Sequence, residues 1–173
     1  MRVSPDHEIV RVPSAGKSGR ERLRQQCYDI RMDVFHHEQG FSLDAEIDKL
    51  VFFFPSLPRD LSLKQPTGPV KVCNCTHILL CRLDDTAEHF LLRLVPSLLP
   101  IGTIRASRIS SGGVPHYRLS RLAVLKDYRK YGFGRELVHA LHEWVIADSQ
   151  SRGEQAATVF CHSQIPVKSF YAG

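Results

Sequence analysis

A chain of 173 residues with 43% hydrophobic content is long enough for one ordinary core and too short for two comfortable ones, so residues 1–173 read as a single domain. A formal net charge of +5 and a pI near 9.1 favour a polyanionic partner: nucleic acid, an anionic membrane surface or a phosphorylated small molecule. No run approaches the roughly 18 apolar residues that span a bilayer, there is no block of like charges, and no RNP1-type pattern occurs, which excludes a membrane-spanning protein and leaves nucleic-acid binding supported by pI alone.

Residues 8–12 form a candidate strand, closed by Pro, Ser and Gly punctuation that runs to about Ser18. Leu23, Cys27, Ile30 and Val34 then recur at helical spacing, so residues 20–37 read as an amphipathic helix with Gly40 as its stop. Glu38 and the acidic residues Asp44, Glu46 and Asp48 follow, a pattern that by itself is a solvated loop. Pro55, Pro58, Pro66 and Pro69 make residues 50–68 irregular. Residues 70–83 are rich in Val, Cys, Thr, Ile and Leu and suit a strand that ends in a turn at Asp84-Asp85. Residues 89–99 read as a strand or an edge extension. Residues 100–106 are the next strand, antiparallel to its neighbours, and residues 110–115 are a flexible loop.

The most informative stretch is residues 119–145, a strand, a basic loop with two glycines and a helix in direct succession. Leu119, Leu122, Val124 and Leu125 supply the strand. Gly132 and Gly134 let the backbone turn sharply and approach a ligand, while the first amides of the following helix lack intrahelical acceptors. Arg129, Lys130 and Arg135 add cations, a combination suited to a pyrophosphate. The loop is neither a P-loop nor a dinucleotide fingerprint, since no G-K-[ST] and no third glycine follow Gly134. Leu137, Leu141, Trp144 and Val145 form the apolar stripe of the helix, with Arg135, Glu136, His139, His142 and Glu143 opposite. Residues 156–161 are a strand that a right-handed crossover places parallel to the one at 119–125. Pro166 opens a last short helix.

No metal is expected. His139 and His142 have no converging third ligand, and Cys73-x-Cys75 has the wrong spacing for a zinc knuckle. The odd set Cys27, Cys73, Cys75, Cys81 and Cys161, with no signal peptide, points to core thiols in a reducing, soluble compartment: the cytoplasm, with the nucleus left open.

The run Arg129-Lys130-Tyr131-Gly132-Phe133-Gly134, preceded by Leu122-Ala123-Val124, resembles the (Q/R)-x-x-G-x-(G/A) acetyl-CoA motif of the GNAT N-acetyltransferases. Upstream, Arg31 to Gly40 with Glu46 and Asp48 resembles the R-x-x-V-F-x-x-E-Q-G…E-x-D signature of the ElaA/YjcF-type subfamily, and Ser163-Gln164 with Phe170-Tyr171 resembles its A-Q…F-Y element. The resemblance covers about residues 27–173 and is weakest between 50 and 99.

It implies an α/β (α+β) fold, with central antiparallel strands, a splayed parallel pair and flanking helices. It also implies transfer of an acetyl group from acetyl-CoA to a primary amine by direct attack. The acceptor is a small molecule or a lysine-like amine. Residues 129–135 would hold the pyrophosphate, with Gln164 also on the cofactor side. The amides of Leu122 and Val124 would meet the thioester carbonyl and the pantetheine. Tyr171 would protonate the departing thiolate, and Glu38, ahead of His37 and His116, is the first candidate for the base. Two other readings stand beside this one: an acyl-CoA-binding module without catalysis, and a basic nucleic-acid-binding protein.

Chains of this family usually continue after F-Y with a further hairpin. The expectation is therefore a C-terminally short domain with weak catalysis, retained CoA binding, and homodimerisation through an uncovered edge at residues 156–161.

Overall fold

The computed structural model describes residues 4–42, 82–111 and 114–161. Within them the strands are β1 His7–Arg11, β2 Glu88–Leu94, β3 Pro100–Ser111, β4 Val114–Val124 and β5 Val159–Cys161. The helices are α1 Arg20–Arg31, continued by a π-helical stretch Met32–Glu38, then α2 Arg82–Thr86 and α3 Phe133–Ser151. Among the described residues the strands make one sheet in the order β1-β2-β3-β4-β5, antiparallel throughout except for the parallel pair β4–β5. This is the mixed sheet with flanking helices that the sequence implied.

Helix α3 covers one face because its buried residues fall every four positions: Phe133, Leu137, Leu141, Val145 and Ser149. They meet Phe90, Leu92, Ile104, Ala106, Tyr117 and Leu119 in the larger core. Full burial of a side chain such as Leu137 or Leu141 contributes about 1.5–3 kcal/mol. Trp144 closes this core with edge-on contacts to Tyr117 and Phe90, ring centroids 5.7 and 6.3 Å apart. Helix α1 covers the opposite face, where Leu23, Cys27, Ile30 and Val34 pack on Leu91 and Ala123.

Several local expectations are corrected. The helix foreseen over residues 20–37 is present, but its second half is π-helical: the Gln39 amide donates to the Val34 carbonyl at 3.1 Å, five residues back. Apolar spacing registers which residues face inward and is blind to that change of ladder. Gly40, at φ 73°, closes the segment as expected. Arg82 is helical, so the last residues of the strand foreseen over 70–83 belong to α2, and the rest of that strand lies outside the described residues.

The loop foreseen over 110–115 is largely strand, since Ser110 pairs with Pro115 and Ser111 with Val114. The two strands run on because ladder pairing outweighs the local turn signal of serines and glycines. The cysteines divide. Cys27 is buried and its thiol is pushed up to about 11 by desolvation, whereas Cys161 is exposed and not a core thiol. No helix among the described residues is long and apolar enough to cross a membrane.

Candidate functional site

The end of β4 and the loop before α3 are shaped by one irregularity. β3 and β4 pair Thr103 with Ala123 and Arg105 with Ser120, so Ile104 alone faces the extra residue contributed by Arg121 and Leu122. Arg121 takes φ 58° at this bulge. The consequence for the backbone can be read from two hydrogen bonds. Before the bulge the Tyr117 amide donates towards β5, to Thr158 O at 2.8 Å; after it the Leu125 amide donates towards β3, to Ile101 O at 2.9 Å. Amides of alternate residues share a side of a strand, so the bulge resets the parity and turns the amides of Leu122 and Val124 towards the β5 side. Among the described residues the β4–β5 pairing spans Tyr117, Arg118 and Leu119 and stops short of both.

Lys126–Tyr128 forms a 3-10 turn, after which Lys130 and Gly132 adopt left-handed conformations, φ 79° and 92°. Glycine takes such a conformation freely; a lysine pays for it, and strain of this kind collects where a loop is shaped for a task. The amide of Arg129 is used by Lys126 O at 3.3 Å, and that of Arg135 by Gly132 O at 2.8 Å. Among the described residues, the amides from Lys130 to Gly134 have no backbone acceptor. Together they form a concave nest at the N-terminus of a 19-residue helix, where the helix dipole adds positive potential.

Phe133 holds the nest in place. Its ring is 1% exposed in the α3 core, edge-on to His7 at 4.7 Å and beside Tyr131 at 5.6 Å. His7 Nε2 is 2.6 Å from the Glu136 carboxylate in the first turn of α3. Burial opposes protonation of His7, yet the Pro5 carbonyl and Glu136 raise its pKa on balance.

The three cations of the loop part company. Lys130 and Arg135 are exposed. The guanidinium of Arg129 folds back: Nε donates to Val124 O at 2.9 Å, and Nη1 and Nη2 donate to the two oxygens of Glu38 at 2.6 and 2.7 Å. The hydrogen bond from Arg129 holds the Glu38 carboxyl below its ordinary range, so it is ionised and a weaker proton acceptor than a free carboxylate. Sequence reasoning placed Arg129 on the cofactor and Glu38 on the acceptor; the fold joins them in one ion pair between the end of β4 and the end of the π-helical stretch. Two residues 91 apart in sequence give no local signal of such a pairing.

Of the other candidate bases, His37 is exposed beside Asp33, Nδ1 to Oδ1 3.1 Å, and His116 lies on β4 with its ring edge-on to Phe160 at 5.1 Å. His139 and His142 are exposed on α3, and no group of three or more metal-ligating side chains occurs among the described residues. Asp44, Glu46, Asp48, Gln164 and Tyr171 lie outside the described residues.

Residues 57–172 match the sequence profile of the acetyltransferase (GNAT) family. A Bacillus subtilis (strain 168) protein that carries an acetyltransferase name is 28% identical over 146 residues, which are 84% of this chain and 70% of that protein. Among solved structures, an N-acetyltransferase from Lactobacillus plantarum aligns over 97% of this chain and 82% of its own, with TM-score 0.57 and 26% identity. An acetyltransferase of the GNAT family from Staphylococcus aureus Mu50 aligns over 96% and 80%, with TM-score 0.56 and 12% identity, a likeness of fold.

Proposed function

Because this chain belongs to the acetyltransferase (GNAT) family, we propose that it takes acetyl-CoA as donor and acetylates a primary amine by direct attack. The observation that supports this best is the nest of amides from Lys130 to Gly134 at the start of α3. A pyrophosphate satisfies those donors at once, with the exposed Lys130 and Arg135 as counter-charges, while Arg129, whose amide and guanidinium are already engaged, braces the loop. Tyr131 and Phe133 shape the loop. Gln164, outside the described residues, is assigned to the cofactor by the family resemblance alone.

Ala123 sits between two amides turned to the β5 side. In this reading Leu122 donates to the thioester carbonyl and Val124 to the pantetheine. As the amine lone pair attacks the carbonyl carbon, charge gathers on the oxygen, where one fixed amide is worth on the order of 3 kcal/mol. Collapse breaks the C–S bond, and the thiolate takes a proton from Tyr171. Glu38, kept ionised by Arg129, accepts a hydrogen bond from the incoming amine and orients it, while its proton leaves by way of Glu38, His37 or His116. Reaction and binding occur within one domain, and the thiols Cys27 and Cys161 suit a reducing cytoplasm.

Calorimetric titration with acetyl-CoA, followed by free-thiol release in the presence of a panel of amines, tests the reading. Saturable binding and amine-dependent release are expected. Binding without release would leave a CoA-binding module, and no binding would remove both. In Gly134→Val the added side chain sits where the ligand approaches, and acetyl-CoA affinity falls at least about tenfold, the loss of one charge-assisted contact. Undiminished affinity there would overturn the nest as the cofactor site.

A further inference from the structure

Beyond the cofactor loop, the sheet carries a second set of polar groups on its α1 face. Ser107 of β3 pairs with Arg118 of β4, and Arg118 pairs with Phe160 of β5, so a hydroxyl, a guanidinium and a phenyl ring stand in one row across three strands. Register partners share a face and lie about 5 Å apart. The neighbouring row adds His116, whose ring meets Phe160.

Two features of this row call for an occupant. The Oγ of Ser107, a residue only 6% exposed, and the Nε of Arg118 are buried without a hydrogen-bond partner. Unpaired buried donors of this kind are uncommon and costly. Phe160, in the same row, is 52% exposed. The buried carboxylate on this face, Asp84, is already engaged by Arg31 and Arg105, and Ser120 by Arg105. Among the described residues, no acidic side chain pairs with Arg118.

We propose that this row is the acceptor-side subsite for a carboxylate: Arg118 and Ser107 donate to its oxygens and Phe160 supports the apolar body of the molecule. A planar two-oxygen anion matches the guanidinium fork, and the hydroxyl completes it. From Arg118 to Leu122 is four residues along β4, at most about 13 Å and less across the bulge. The acceptor is therefore an amine that also bears a carboxylate within that reach, such as an amino acid or a short peptide, and not a polyamine. The subsite rests on the acetyltransferase reading for its purpose, though not for its existence.

The test separates the two. 3-Phenylpropionate and its neutral amide are titrated into the full chain while the Arg118 Nε–H resonance is followed by NMR. The acid shifts that resonance saturably and the amide does not. Arg118→Gln weakens acid binding at least about tenfold and Phe160→Ala several-fold, as measured from the remaining backbone shifts, while acetyl-CoA binding by calorimetry is unchanged. Equal response to acid and amide, or full acid binding by Arg118→Gln, overturns the subsite. With acetyl-CoA present, triglycine is acetylated at least about tenfold more efficiently than its C-terminal amide, and that preference disappears in Arg118→Gln. Carboxylate binding with no acetyl transfer to any amine would retain the subsite and sink the proposed reaction instead.

Discussion

On the α3 face of the sheet, Leu92, Ile104 and Leu119 meet Leu137, Leu141 and Val145, and the contact is apolar throughout. On the α1 face the same strands present His89, Thr103, Arg105 and Ser107, with Arg31 and Asp84 brought in by α1 and α2, all nearly inaccessible. Arg31 Nη1 lies 3.2 Å from one Asp84 oxygen, Arg105 grips the other, and the His89 Nε2–H donates to the Asp84 carbonyl at 3.0 Å. The difference teaches where each face is vulnerable. An apolar contact loses stability in proportion to the atoms removed; a buried charge set fails abruptly when one member goes, because the others stay buried.

The largest expected effect follows. Asp84→Ala removes the carboxylate that two buried guanidiniums share and costs about 3–5 kcal/mol in urea denaturation. Ile104→Val, on the apolar side, costs about 1 kcal/mol. If the valine variant were the weaker of the two, the contrast between the faces would fail.

A pH series sharpens the same comparison. Burial lowers the His89 pKa from 6.5 to about 4, outweighing the carbonyl and carboxylate of Asp84. Below 6.5 the unfolded chain takes a proton that the folded chain refuses, so stability is full above pH 6.5 and declines as the pH falls towards 4. The gap converts to roughly 3 kcal/mol at about 1.4 kcal/mol per unit. Denaturation midpoints at pH 7, 5.5 and 4 should show the fall, and His89→Gln should flatten it. The Asp84 carboxyl adds little to that fall: desolvation would raise its pKa, but Arg31 and Arg105 hold it well below the usual range, so its contribution is lost mainly below the unfolded value of 3.8.

The loop before α3, proposed to hold the cofactor, contrasts with both faces, since it is shaped against stability. Lys130→Gly relieves the left-handed strain and should stabilise the fold by about 1 kcal/mol. The same change weakens acetyl-CoA binding through loss of a cation, and thermal melting with calorimetry reads both signs. The smallest effect belongs to Glu38→Gln. Its partner pair is about one-third exposed, so the stability cost stays under about 1 kcal/mol and shrinks further with salt. Arg129→Gln should cost more than Glu38→Gln, because it also releases the Val124 carbonyl.

Much of this was legible in the chain itself. The four-residue recurrence from Leu137 to Val145 specified α3 and its buried stripe, and the glycine-bearing run from Arg129 to Gly134 specified a tight turn into that helix, because both signals are local. The strands at 7–11, 88–94 and 100–111 were recognisable as strands, with ends misjudged where ladder pairing carried them through Ser110, Ser111 and Val114.

Only the tertiary structure decided the rest. The bulge at Arg121–Leu122 that turns the β4 amides depends on pairing with β3 and leaves no mark in composition. The Glu38–Arg129 pair, the Asp84 cluster and the Ser107–Arg118–Phe160 row each join residues far apart in sequence. Periodicity reports which side of its own element a residue faces. What waits across the sheet is set by register and crossover, and those exist only once the chain has folded.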